Sequence, residues 1–131
     1  GAAELVAALK SEMVADFPDL SDAKWEELAR RWFKVSDGGV ALSYDPAIGT
    51  AMHEQAQGET PDLWGLFDVM AGVPLALLRG ENSDLLSVET AEAMQARRPD
   101  MLYAEVPNRG HIPLLDEAES LDIIRKLLAQ A

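Results

Sequence analysis

The chain has 131 residues, of which 48% are hydrophobic and 26% charged, with a formal net charge of −12 and no cysteine. That length can bury a respectable core, while the acidity argues against nucleic acid and against anionic membranes as partners. The absence of cysteine excludes a thiolate nucleophile and a disulfide framework, and no apolar run approaches the ~18 residues of a membrane span. No signal peptide is legible, so a cytoplasmic setting is expected. The start at Gly1, without a methionine, reads as a cloning scar or a processed end.

From Glu4 to Phe17, apolar residues at Leu5, Leu9 and Met13, with Val6 and Val14 beside them, predict an amphipathic helix. Phe17-Pro18 ends it, because a residue before proline is biased out of the α region. A second helix follows, with Ser21 or Asp22 as its N-cap. Trp25, Leu28, Ala29 and Trp32 form one face of it. Two tryptophans at helical spacing read first as packing, and second as a lid lining an apolar substrate pocket. Ser36-Asp37-Gly38-Gly39 is a turn signal, and Val40, Leu42 and Tyr44 alternate in a short extended segment that stops at Asp45-Pro46. Ala47 to Pro61 shows little periodicity and reads as an irregular connection. His53 falls inside it, outside any metal-ligand spacing, and reads as a solvated side chain. Asp62 to Met70 predicts a short helix capped near Thr60 or Asp62, with Leu63, Leu66, Phe67 and Met70 on one side and Gly72 as its terminator.

The stretch from Val73 to Pro113 organises the rest. Val73–Leu78 is continuously apolar, as strands covered on both faces are. It is followed by the polar loop Arg79–Ser87, a helix over Val88–Arg98 capped by Ser87, a strand over Met101–Val106 and the loop Pro107–Pro113. Val88, Ala91 and Met94 are expected to face the sheet. This is a βαβ unit, so the strands should be parallel and both loops should open on one rim, where α/β sheets place their ligands. Asp116-Glu117-Ala118-Glu119 resembles a capping box with an acid in place of the hydroxyl residue. A last helix, Glu117 to Ala129, carries Leu121, Ile124, Leu127 and Leu128 at core spacing.

Each of the two loops offers one group for acid–base chemistry, Asp84 in the first and His111 in the second. A carboxylate bonded to Nδ1–H of a histidine fixes its tautomer and leaves Nε2 as a general base. Glu81 competes with Asp84 for the acid role, although it lies closer to the strand end. The plainer readings are an Asp84 that serves local backbone N–H groups and a His111 packed under the last helix.

Residues Val73 to Ala129 resemble the C-terminal part of an α/β-hydrolase-fold enzyme. VPLALLRGENSDLLS is similar to that family's strand and loop bearing the triad acid, and VPNRGHIPLLDEAE to its last strand-to-helix loop bearing the triad histidine. The resemblance implies Asp84 as the triad acid and His111 as the triad base. It implies an α/β fold made of a helical cap-like segment over residues 1–68 and a C-terminal βαβα part of the core over residues 69–131. The family's chain order is nucleophile, acid, histidine, with the nucleophile on a G-x-S-x-G elbow. Ser36 and Ser43 precede Asp84 without such flanking glycines, so no elbow is present.

The expectation is therefore a hydrolase acting on a small, fairly apolar substrate, whose acid–histidine pair serves a nucleophile outside this chain. The chain would be a fragment, a cleavage product or one chain of a split protein, with little activity alone. Its expected partner is the missing N-terminal half or a second copy exchanging elements, because the uncovered edge of Val73–Leu78 invites pairing. No metal or organic cofactor is implied, since no group of ligands has metal spacing. The alternative is a noncatalytic binding module, with the βαβ unit as scaffold and the Trp25/Trp32 helix as working surface. A nucleotide-binding doubly wound half is disfavoured, because RGENSD lacks the G-x-G-x-x-G spacing.

Overall fold

The structure is a computed structural model that describes residues 1–36, 39–45, 47–56, 58 and 61–130. It divides into two units, Gly1–Val14 with Leu20–Asp62, and Ala15–Asp19 with Leu63–Ala131.

In the first unit, α1 (Ala2–Met13) precedes α2 (Asp22–Trp32), β1 (Phe33–Ser36), β2 (Gly39–Leu42) and α3 (Ala47–Ala56). The first helix stops short of the expected Phe17. Its last turn closes where Val14 N–H donates to the Lys10 carbonyl at 2.9 Å, and Ala15–Asp19 then joins the other unit, with Phe17 buried. Ser21 is the N-cap of α2, its Oγ accepting from Lys24 N–H at 3.2 Å. Trp25 (1% exposed), Leu28 (0%) and Ala29 (3%) form its buried face, so the tryptophan at 25 packs as core. Acids and bases one turn apart, Glu27 with Arg31 and Glu26 with Arg30, lie on the exposed side.

The extended segment expected around Val40 is one arm of an antiparallel hairpin, β1 against β2, with Phe33 opposite Leu42 and Ser36 opposite Gly39. Asp37 and Gly38, the centre of the expected turn, lie outside the described residues. Ser43 Oγ ties the hairpin to the end of α2 by donating to the carbonyls of Arg31 (3.0 Å) and Trp32 (2.9 Å). The irregular connection expected from Ala47 onward is instead largely helix. Asp45, which reads as part of a strand stop, also works as a helix start, because Ala47 N–H donates to Asp45 Oδ1 at 2.9 Å. Residues 47–54 of α3 are all exposed, which is why no apolar stripe announces it.

In the second unit, α4 (Trp64–Val69) precedes β3 (Ala76–Gly80), α5 (Val88–Arg97), β4 (Leu102–Val106) and α6 (Ala118–Leu128). The short helix α4 has Leu63 at its N-cap position rather than Asp62, and Thr60 lies outside the described residues. Its contact runs through Trp64 and Phe67, whose rings meet edge to face at 5.8 Å. The Arg97 guanidinium stacks 4.5 Å from the Trp64 ring centre, while Leu63 and Leu66 are exposed.

β3 and β4 are parallel, in register from Ala76 opposite Leu102 to Gly80 opposite Val106, as a βαβ unit requires. The first strand begins later than Val73 and runs on through Gly80. Pro74 has no N–H to give to a ladder, and the buried Arg98 guanidinium claims the carbonyls of Met70 (2.6 Å) and Val73 (2.8 Å), fixing the lead-in as a bend. Ser87 caps α5, its Oγ accepting from Thr90 N–H at 3.1 Å. Ala91 is buried and Met94 half-buried, whereas Val88 is exposed. On α6, Ser120 and Ile123 are the buried positions, while Leu121 and Leu128 are exposed. Ile124 and Leu127 of the expected stripe are half-buried, and the buried Ser120 hydroxyl donates to Glu117 Oε2 at 2.7 Å.

Candidate functional site

The rim at the carboxyl ends of β3 and β4 is tightly laced. Glu81 N–H donates to the Val106 carbonyl at 3.0 Å, and Asn82 N–H to the Arg109 carbonyl at 2.8 Å. Asn108 N–H donates to Glu81 Oε2 at 2.9 Å. The two loops are therefore hydrogen-bonded neighbours. Gly80 makes the approach possible, since a Cβ there would lie 2.2 Å from the Gly110 carbonyl oxygen. Ala15–Asp19 lies against the same loops, with Asn82 Nδ2 donating to the Asp16 carbonyl at 3.2 Å.

Asp84 and His111 stand on these loops, and both side chains are exposed. Among the described residues no hydrogen bond or ion pair joins them. Glu81, the competing acid, is already engaged in holding the Asn108 backbone, which leaves Asp84 as the uncommitted carboxylate of the first loop. His53 lies on the exposed helix α3 of the other unit.

Sequence reasoning missed the groups that hold the loops in place. The loop of His111 is fastened by Glu117, at the N-cap of α6, whose side chain is only 6% exposed. Its Oε1 accepts from Arg109 Nε and Leu114 N–H, both at 2.8 Å, and its Oε2 from Ser120 Oγ at 2.7 Å. Burial works to raise the Glu117 pKa. The hydrogen bonds from Ser120, Leu114 and Arg109 favour the carboxylate more strongly, and the pKa ends below its ordinary value. Arg109 also donates to Asp19. The capping-box pattern, which starts at Asp116, points to the helix start one residue before the observed N-cap Glu117, and the partners of Glu117 upstream in the loop are not legible. The loop of Asp84 is held by Arg79, buried at the end of β3 and paired with Glu105 at 2.8 Å.

Among the described residues no group of three or more His, Cys, Asp or Glu side chains could hold a metal ion, and no helix is long and apolar enough to cross a membrane. The first unit has a cavity of about 830 Å³ lined by Leu5, Val6, Ala29, Phe33 and Val35, with Asp22, Glu26 and Arg30 at its polar side. Neither Trp25 nor Trp32 lines it; Trp25 packs in the core, as the first reading of that face expects, and Trp32 is half-buried.

No family model matches the sequence. An α/β hydrolase from Novosphingobium aromaticivorans is 36% identical and superposes with a TM-score of 0.87, covering 100% of this chain and 46% of that one. The chain belongs to the α/β-hydrolase superfamily. It has the fold of the C-terminal portion of an α/β hydrolase. A hydrolase-like protein from Rickettsia typhi shares the fold at 23% identity and a TM-score of 0.75, covering 43% of its chain. A 3-hydroxybutyrate-oligomer hydrolase from Cupriavidus necator is 33% identical over a match that takes in 76% of this chain and 36% of that protein. The chain thus spans less than half the length of the relatives it matches.

Proposed function

We propose that this chain supplies the acid and the histidine of an α/β-hydrolase catalytic triad, with residues up to about Asp68 forming a helical cap. Asp84 would bond Nδ1–H of His111 and stabilise the imidazolium. His111 Nε2 would take the proton from a nucleophile, or from the hydrolytic water, and return it to the leaving group. The nucleophile would come from an N-terminal half, since no elbow occurs in these residues. The observation that carries the reading is the lacing of the two loops through Glu81, Asn82 and Arg109. It brings the acid loop against the histidine loop and leaves Asp84 and His111 uncommitted at the rim.

The substrate reading is a small, fairly apolar ester. It draws on the Cupriavidus necator relative, whose name gives an oligomer of 3-hydroxybutyrate as what it hydrolyses; an ester is the linkage that a hydroxyl and a carboxyl group form. A serine nucleophile is the one that suits ester cleavage by an acid–histidine pair. The first unit's cavity favours a second reading, a noncatalytic module binding a small ligand there, because its lining includes neither Asp84 nor His111.

The test is an NMR titration of the His111 ring in the chain and in Asp84→Asn. A neighbouring carboxylate favours imidazolium, so its removal should shift the His111 titration to lower pH. Superimposable curves would remove the support for the pair and leave the binding module as the better reading.

A further inference from the structure

The loop that bears Asp84 is wrapped around one buried cation. Arg79 Nε donates to the Leu86 carbonyl at 2.8 Å, NH1 to the Glu81 carbonyl at 3.3 Å, and NH2 to the Ser83 carbonyl at 3.5 Å. Those carbonyls bracket Asp84 on both sides. The loop adds bonds of its own, Ser83 N–H to the Gly80 carbonyl at 3.0 Å and Leu86 N–H to Ser83 Oγ at 3.1 Å. The Arg79 side chain is 6% exposed, and its charge is met by Glu105 Oε2 at 2.8 Å, directly across the ladder. Only a guanidinium offers five planar donors, enough to reach several carbonyls and a carboxylate from one place. A lysine ammonium could satisfy the charge but not the span.

We propose that Arg79 is the positioning residue for Asp84. Its guanidinium holds the loop in the shape that presents the acid to the histidine loop. This rests on the reading of Asp84 and His111 as an acid–histidine pair. A purely structural arginine has a ready comparison in Arg98. It is equally buried, bonds the Met70 and Val73 carbonyls and pairs with Asp100, yet it brackets no candidate site residue.

The experiment is amide hydrogen exchange and a histidine titration by NMR on the 131-residue chain, with His53→Gln to assign the His111 ring. Arg79→Lys should speed exchange at Leu86 by about tenfold or more, as the loss of charge-assisted bonds predicts. It should also move the His111 pKa in the same direction as Asp84→Asn. Combining Arg79→Lys with Asp84→Asn should then produce no further shift. Arg98→Lys, the structural control, should leave both the Leu86 exchange and the His111 titration unchanged. Unaltered exchange at Leu86 would overturn the proposal. So would a loosened loop with His111 unmoved where Asp84→Asn moves it. If Asp84→Asn itself leaves His111 unmoved, the acid–histidine pair falls and the proposal with it. Should Arg79→Lys fail to fold, Glu105→Gln takes its place: a smaller shift of His111 in the same direction is expected, and an unmoved His111 overturns the proposal.

Discussion

At the scale of single residues, the rim depends on what is absent from Gly80 as much as on what is present nearby. Its missing side chain lets the acid loop lie against the backbone of Arg109 and Gly110, with a would-be Cβ at 2.5 Å and 2.2 Å from their carbonyl oxygens. Backbone cannot swing aside as a flexible side chain can. Gly80→Ala should therefore destabilise the chain by about 3 kcal/mol, read as a lower urea midpoint. A midpoint unchanged from the parent would mean that the two loops are not as close as described. The same crowding recurs at Gly110, whose Cβ would meet Asp16 Cβ at 2.7 Å. In the sequence these glycines are visible only as loop residues flanking Glu81 and His111. Their purpose depends on which loops become neighbours, and composition does not encode that.

At the scale of elements, what was legible follows the strength of the local signal. Ser21 and Ser87 announce α2 and α5 because a hydroxyl one residue before a helix satisfies N–H groups that otherwise have no partner, and both do so here. The parallel pairing of β3 and β4 follows from strand, helix, strand with a crossover of that length. The helix α3 was not legible, because residues 47–54 are exposed and so carry no stripe of buried positions. The start of β3 was displaced by the pull of Arg98 on Met70 and Val73, a contact across 25 and 28 residues of sequence. Asp84 and His111 could be singled out by residue type and loop position, whereas Arg79, Glu117 and Arg109 could not, because their roles lie in partners distant along the chain. For Ser87→Ala, the loss of the cap should cost about 1 kcal/mol. Thermal unfolding with a melting temperature lowered by a few degrees would agree, and an unchanged melting temperature would show that α5 does not depend on its cap.

At the scale of the whole molecule, the second unit carries only two paired strands among its described residues, and β3 has β4 as its one ladder partner there. Val73, Leu85, Ile112 and Leu115 are exposed around this sheet and its loops. In the α/β-hydrolase superfamily relatives, this chain corresponds to 46% or less of the length. We read the uncovered edge and apolar surface as the place where a nucleophile-bearing half would pack. The most direct test joins the remaining N-terminal portion of the Novosphingobium aromaticivorans hydrolase to this chain and measures hydrolysis of a short acyl ester. The account predicts an active chimera whose kcat falls on the order of 10³-fold or more in both His111→Ala and Asp84→Asn. A folded, active chimera that keeps its full rate in those two variants would contradict it.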